Sequence, residues 1–214
     1  MKNFSNFALS RVGLVSLLSL CVIIFSISFI SISDETVRYK TFDSSVAITN
    51  ASSAQVQKTN SNIINCEANF TFDEGKVMDV SNFQFQVPFN QFDIANPNIE
   101  SAIHTVFKLN QVTQVSFVQE KVMVLPTMKM IHVIGLLTMA NVEHSLAFQF
   151  TYVINKDKSI SINGEQTIDL AEFGLKIPDA LKNVVDNSIK IKLNLKMIDE
   201  ELIVPRSKFA INYE

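Results

Sequence analysis

Ser145-Leu-Ala-Phe-Gln-Phe-Thr-Tyr-Val-Ile154 and Ser188-Ile-Lys-Ile-Lys-Leu-Asn-Leu-Lys-Met197 decide the fold. In the first, Leu146, Phe148, Phe150, Tyr152 and Ile154 fall on one face, with Ala147, Gln149 and Thr151 between them. In the second, Ile189, Ile191, Leu193, Leu195 and Met197 alternate with Lys190, Lys192, Asn194 and Lys196. Alternation of this kind gives a strand one wet face and one buried face, which is the habit of antiparallel sheets. Between the two strands lies Phe173-Gly-Leu-Lys-Ile-Pro-Asp-Ala-Leu-Lys-Asn-Val-Val-Asp-Asn187, read as a turn at Gly174 and a short helix with Pro178 at its first position. Long amphipathic strands around a short helix imply a closed barrel with an apolar interior.

The same patterning extends toward the amino terminus. Ser44–Asn50 reads as a first strand, and Asn62–Phe72 as a second, with Ile64, Cys66, Ala68, Phe70 and Phe72 on one face. Val77–Phe89 aligns Phe83, Phe85, Val87 and Phe89. Asn96 caps a helix that opens at Pro97 and runs to about Leu109, with Ile99, Ile103, Val106 and Phe107 on one stripe. Strands follow at Val112–Val118 with an extension to Leu125, at Lys129–Met139, and at Ile160 onward to Leu170. The expected fold is all-β: an antiparallel, lipocalin-like β-barrel of about eight strands with two short helices.

A chain of 214 residues holds one such domain. The net charge of -3, without a basic patch interleaved with aromatics, argues against nucleic acid as a partner. Residues Val12–Ile32 form an uncharged apolar run preceded by Lys2 and Arg11, which reads as an export signal or as an amino-terminal membrane anchor. The expected organisation is 1–33 leader, 34–43 linker, 44–199 barrel and 200–214 tail. Cys66 is then the one thiol of the exported part, a buried structural residue with no disulfide partner in the domain.

Three blocks carry a family resemblance. Ser81-Asn-Phe-Gln-Phe-Gln-Val-Pro-Phe-Asn-Gln-Phe-Asp93 ends a strand in Val-Pro before a helix. Val133-Ile-Gly-Leu-Leu-Thr-Met-Ala-Asn-Val-Glu-His-Ser-Leu146 makes a hairpin, and Ile168-Asp-Leu-Ala-Glu-Phe-Gly-Leu-Lys-Ile-Pro178 leads to the last strand. Together they resemble the bacterial YceI-like family of polyisoprenoid-binding proteins over roughly 44–197. The chain departs from that pattern in having Ala140-Asn141 where the family often has His-Gly, and in having no Trp. The resemblance implies a lipocalin-like barrel that holds a long isoprenoid, quinone or similar amphiphile in its lumen, in the periplasm or tethered facing it.

Candidate lumen residues are Phe70, Phe83, Phe85, His132, Phe148, Phe150, Ile189, Ile191, Leu193 and Leu195. Of the three histidines, His104 and His144 read as solvent-facing, whereas His132, mid-strand, is placed toward the lumen. No nucleophile elbow, acid–base pair or metal-ligand spacing stands out, so no catalytic residue, metal or cofactor is expected. Asp169 and Glu172 read as capping or solvating residues. Partners are then a hydrophobic small molecule and, through an uncleaved leader, the membrane. The alternative is a tethered interaction module whose barrel is filled by its own side chains.

Overall fold

The two alternating segments become strands whose inward rows are sealed from water. Ile189, Ile191, Leu193, Leu195 and Met197 are buried, as are Phe148, Phe150 and Tyr152. The computed structural model describes residues 35–50, 64–92 and 97–203. The leader, the 51–61 loop, the Asn96 cap and the tail beyond residue 203 lie outside the described residues. Eight strands run β1 Glu35–Asn50, β2 Asn65–Asp73, β3 Lys76–Pro88, β4 Gln114–Leu125, β5 Met130–Met139, β6 Val142–Ile154, β7 Ile160–Asp169 and β8 Ser188–Asp199. Each pairs antiparallel with its sequence neighbour, and β8 closes on β1. Closure removes the free edges that an open sheet would expose.

Tight turns set the register. Glu74 and Gly75 between β2 and β3, and Ala140 and Asn141 between β5 and β6, all have positive φ. Both central residues left-handed is the geometry that matches the twist of a two-residue hairpin. At one end of the barrel sits α1, Pro97–Leu109, which buries Ala102, Ile103, Val106 and Phe107. Asn110 then ties this cap down: its amide donates to the Lys176 carbonyl at 3.1 Å, and its Oδ1 accepts from the Lys176 N–H at 3.0 Å.

Two expectations need correction. The polar stretch 34–43, read as a linker, is strand from Glu35 onward. Tyr39 faces inward and pairs with Ala68 and Asp199, but the register slips between Thr41 and Asp43. Phe42 bulges out at that slip, 64% exposed, so the alternation changes phase and the strand is masked in sequence. The helix expected after Pro178 is only a 3-10 turn, Asp179–Leu181. Asn183, Val184, Val185 and Asp186 are poor helix formers, and the Val184 carbonyl accepts from Asn50 Nδ2 at 2.8 Å instead of continuing a helix. The second helix is α2, Glu200–Ile203, at the far end of β8.

Candidate functional site

Inward rings of β3, β4 and β6 meet in one aromatic stack. Phe148 packs on Phe150 at 5.4 Å, on Phe117 at 5.1 Å and on Phe85 at 5.8 Å between ring centroids. Phe83 reaches Phe150 at 5.2 Å, and Phe85 lies parallel to Phe117 at 5.4 Å. Edge-to-face and offset contacts of this kind add to the burial energy of the rings. Farther along, Phe70 meets Tyr39 at 5.3 Å. None of the buried described residues carries a charge.

Nine of the ten candidate residues lie in this interior: Phe70, Phe83, Phe85, Phe148, Phe150, Ile189, Ile191, Leu193 and Leu195 are at most 2% exposed. His132 does not. It pairs with Met123 and Gln149 in the row that faces outward, one residue out of phase with buried Ile131 and Val133. His104 and His144 are corrected too, since both are half-buried. The His104 ring sits 5.3 Å from Phe89. His144 Nδ1 is 3.8 Å from Glu172, and its ring is 5.8 Å from Phe173. Asp169 does cap, accepting from the Ala171 N–H at 2.9 Å at the head of the 3-10 turn Leu170–Phe173.

Phe117, Leu137 and Met139 belong to the lumen wall and were not among the candidates; Gln119, half-buried, bonds by its side chain to the backbone of β3. A signal for Phe117 existed in its alternation with Val115. The extension to Leu125 is strand as read, but the register slip between Gln119 and Lys121 hides which of its residues face inward. Gly135 is the inward residue opposite Gln119, and the Phe117 ring lies where a side chain there would go.

The rings pack against one another inside the barrel, and three concavities open along the strands among the described residues. They measure about 370, 220 and 260 Å³. Cys66 is walled into the interior, where burial pushes its thiol pKa up. A thiol that stays protonated and has no access is inert. Iodoacetamide at pH 8 is therefore expected to leave Cys66 unmodified in the folded protein and to alkylate it on unfolding. Peptide mapping distinguishes Cys66 from Cys21 of the leader, and rapid labelling of Cys66 in native protein would contradict the burial.

A family model described as the YceI-like domain matches residues 36–197. No curated protein sequence matches the chain. Among solved structures, Burkholderia cenocepacia BcnA is similar with a TM-score of 0.57 at 16% identity, over 72% of this chain and 95% of that one. A polyisoprenoid binding domain from Saccharophagus degradans, implicated in plant cell wall breakdown, gives 0.52 at 11% identity, over 76% of this chain and 99% of that one. At these identities the likeness is one of fold.

Proposed function

Because the chain belongs to the YceI-like family, we propose that it is a non-catalytic binding protein for the apolar tail of a long-chain amphiphile. The tail is a polyisoprenoid, a quinone side chain or a similar lipid, and the work is sequestration or transport. The observation that carries this reading is a barrel interior lined by apolar and aromatic side chains, with no buried charge. The polyisoprenoid binding named for the Saccharophagus degradans domain supports the same ligand class. The apolar run Val12–Ile32 supports work outside the cytoplasm, in the periplasm or at the membrane facing it.

The packed rings set a condition on the ligand. A tail enters only where rings swing aside, at roughly 0.5–1.5 kcal/mol for each side chain pushed off its preferred rotamer. Association itself costs about 4–15 kcal/mol. Each five-carbon isoprene unit returns roughly 3–4 kcal/mol when buried. Two units return about 6–8 kcal/mol, inside the range of that cost, whereas four return about 12–16 and cover most of it, so tails of four units or more are the ones held. Delipidated protein is therefore expected to form a one-to-one complex with geranylgeraniol in native mass spectrometry and to reject geraniol. Failure with every prenyl lipid of twenty carbons or longer overturns the reading.

A second reading, a filled barrel that binds another protein, is favoured by the outer wall of β4 and β5. There Val118, Met123 and Ile134 are 52%, 54% and 42% exposed, an apolar band of the sort found at interaction surfaces.

A further inference from the structure

The wall between β3 and β4 is paired along only part of its length. Their ladder joins Gln84–Pro88 to Gln114–Val118 and stops. Yet β3 continues to Lys76 along β2, and β4 continues to Leu125 along β5. Where the ladder ends, the side chain of Gln119 replaces the missing backbone. Its Oε1 accepts from the Phe83 N–H at 2.8 Å, and its Nε2 donates to the Val80 carbonyl at 3.0 Å.

What lies on either side of this carboxamide gives it meaning. Outside is the concavity of about 370 Å³, whose lining is mostly polar, with Arg38, Glu67, Asn69, Asn82, Gln84 and Gln119, and is completed by Ala68, Phe83 and Val118. Inside, the Phe83 ring packs on Phe117 and Phe150 at 6.2 and 5.2 Å. A polar cup, one amide and the aromatic lumen thus follow one another across the wall. The β6–β7 ladder is also short, ending at Gln149 and Glu165. That gap, however, is covered by the turn that buries Leu170 and Phe173. The β1–β2 ladder is short as well, and there Thr41 Oγ1 donates to the Ile64 carbonyl at 2.5 Å and accepts from the Cys66 N–H at 3.3 Å. Among the described residues, the β3–β4 seam is set apart because its bridging side chain, Gln119, also lines the concavity of about 370 Å³.

We infer that the β3–β4 seam is the entrance for the apolar tail, with Gln119 as its latch and the outer cup as the seat of the amphiphile's head. The inference rests on the lumen being the tail site. The charges of the cup select the head. Arg38 Nη2 bonds Glu67 at 2.6 Å, and its Nε lies 3.2 Å from Glu200, which also pairs with Lys40. Two cations and two carboxylates leave no net positive charge. Arg38 beside it, with Gln84 donating as well, holds the Glu67 carboxyl below its usual range, so it stays ionised. A phosphate head would meet that carboxylate. A hydroxyl or carbonyl head instead meets the carboxamides of Asn69 and Asn82, so the ligand is a prenol or a quinone rather than a prenyl phosphate.

The test uses tyrosine emission, since Tyr39 and Tyr152 line the lumen and the chain has no Trp. Rapid mixing with geranylgeraniol is compared for wild type, Gln119→Met, Gln119→Ala and, as a control on the other seam, Gln166→Ala. Losing the two latch bonds is expected to speed both uptake and release by about tenfold, with Kd changed little. Gln166→Ala is expected to keep wild-type rates, and geranylgeranyl diphosphate to bind at least about tenfold more weakly than the alcohol. Unchanged rates in both Gln119 variants, or acceleration by Gln166→Ala instead, overturn the latch. Preference for the diphosphate overturns the head assignment. A wild type that binds neither probe defeats the tail-binding reading, and the entrance with it. Amide exchange in unliganded wild type reads the latch without any variant. Phe83 is expected to exchange faster than Gln86 and Val87 in the paired part of β3, and equal protection overturns the latch.

Discussion

Phe148→Ala is expected to destabilise the barrel by about 3–5 kcal/mol, the range for truncating a large buried aromatic. For a domain of this size that corresponds to a fall in Tm of roughly 6–20 °C. The ring is fully buried and touches Phe85, Phe117 and Phe150, so its removal leaves a void that no single neighbour fills. The variant also separates the two functional readings. If the lumen takes a tail, geranylgeraniol occupies the void and raises the variant's Tm by more than it raises that of wild type. A filled interaction module shows the loss of stability without rescue. Thermal melts with and without the alcohol measure both. A loss under about 1 kcal/mol would mean that the rings are not a packed core.

Gly135→Ala is expected to cost about 1–3 kcal/mol although it adds one methyl group. The new Cβ would collide with the carbonyl oxygen of Val118 and come within 2.7 Å of Phe117 Cζ. The first obstacle is backbone, so relief requires β4 to move away from β5 at the place where its register slips. That displacement would also carry Gln119, which pairs with Gly135 across the two strands. Urea unfolding measures the cost, and a neutral result would show that β4 yields freely at the bulge.

Most of the barrel is legible from residue order because one face of each strand is wet. In β6 and β8, Lys, Gln and Asn mark the outer row, and the inner row follows. In β5 the marker is absent. Met130, Ile134 and Leu136 face outward beside His132, while Ile131, Val133 and Leu137 face inward, so both rows read as apolar. Gly135 was the clue to the parity, since only the inner row has a ring resting on its backbone. Bulges account for the other gaps. At Phe42 and at Gln119–Lys121 an extra residue reverses the alternation, hiding the start of β1 and the facing of the last residues of β4. The mutual packing of the Phe rings is a matter of geometry among eight strands, and no local pattern encodes it.

The short β3–β4 and β6–β7 ladders have a mechanical consequence. Strands β4, β5 and β6 form a fully hydrogen-bonded meander, ten pairs on each internal junction. That meander is fastened to the remainder of the cylinder by five pairs to β3 on one side and six to β7 on the other. A third short ladder, six pairs, joins β1 to β2, so the circumference yields along three weak lines rather than evenly, and β4, β5 and β6 swing as one panel between two of them. A guest thicker than the resting bore is accommodated by tilting that panel, with every long ladder left intact.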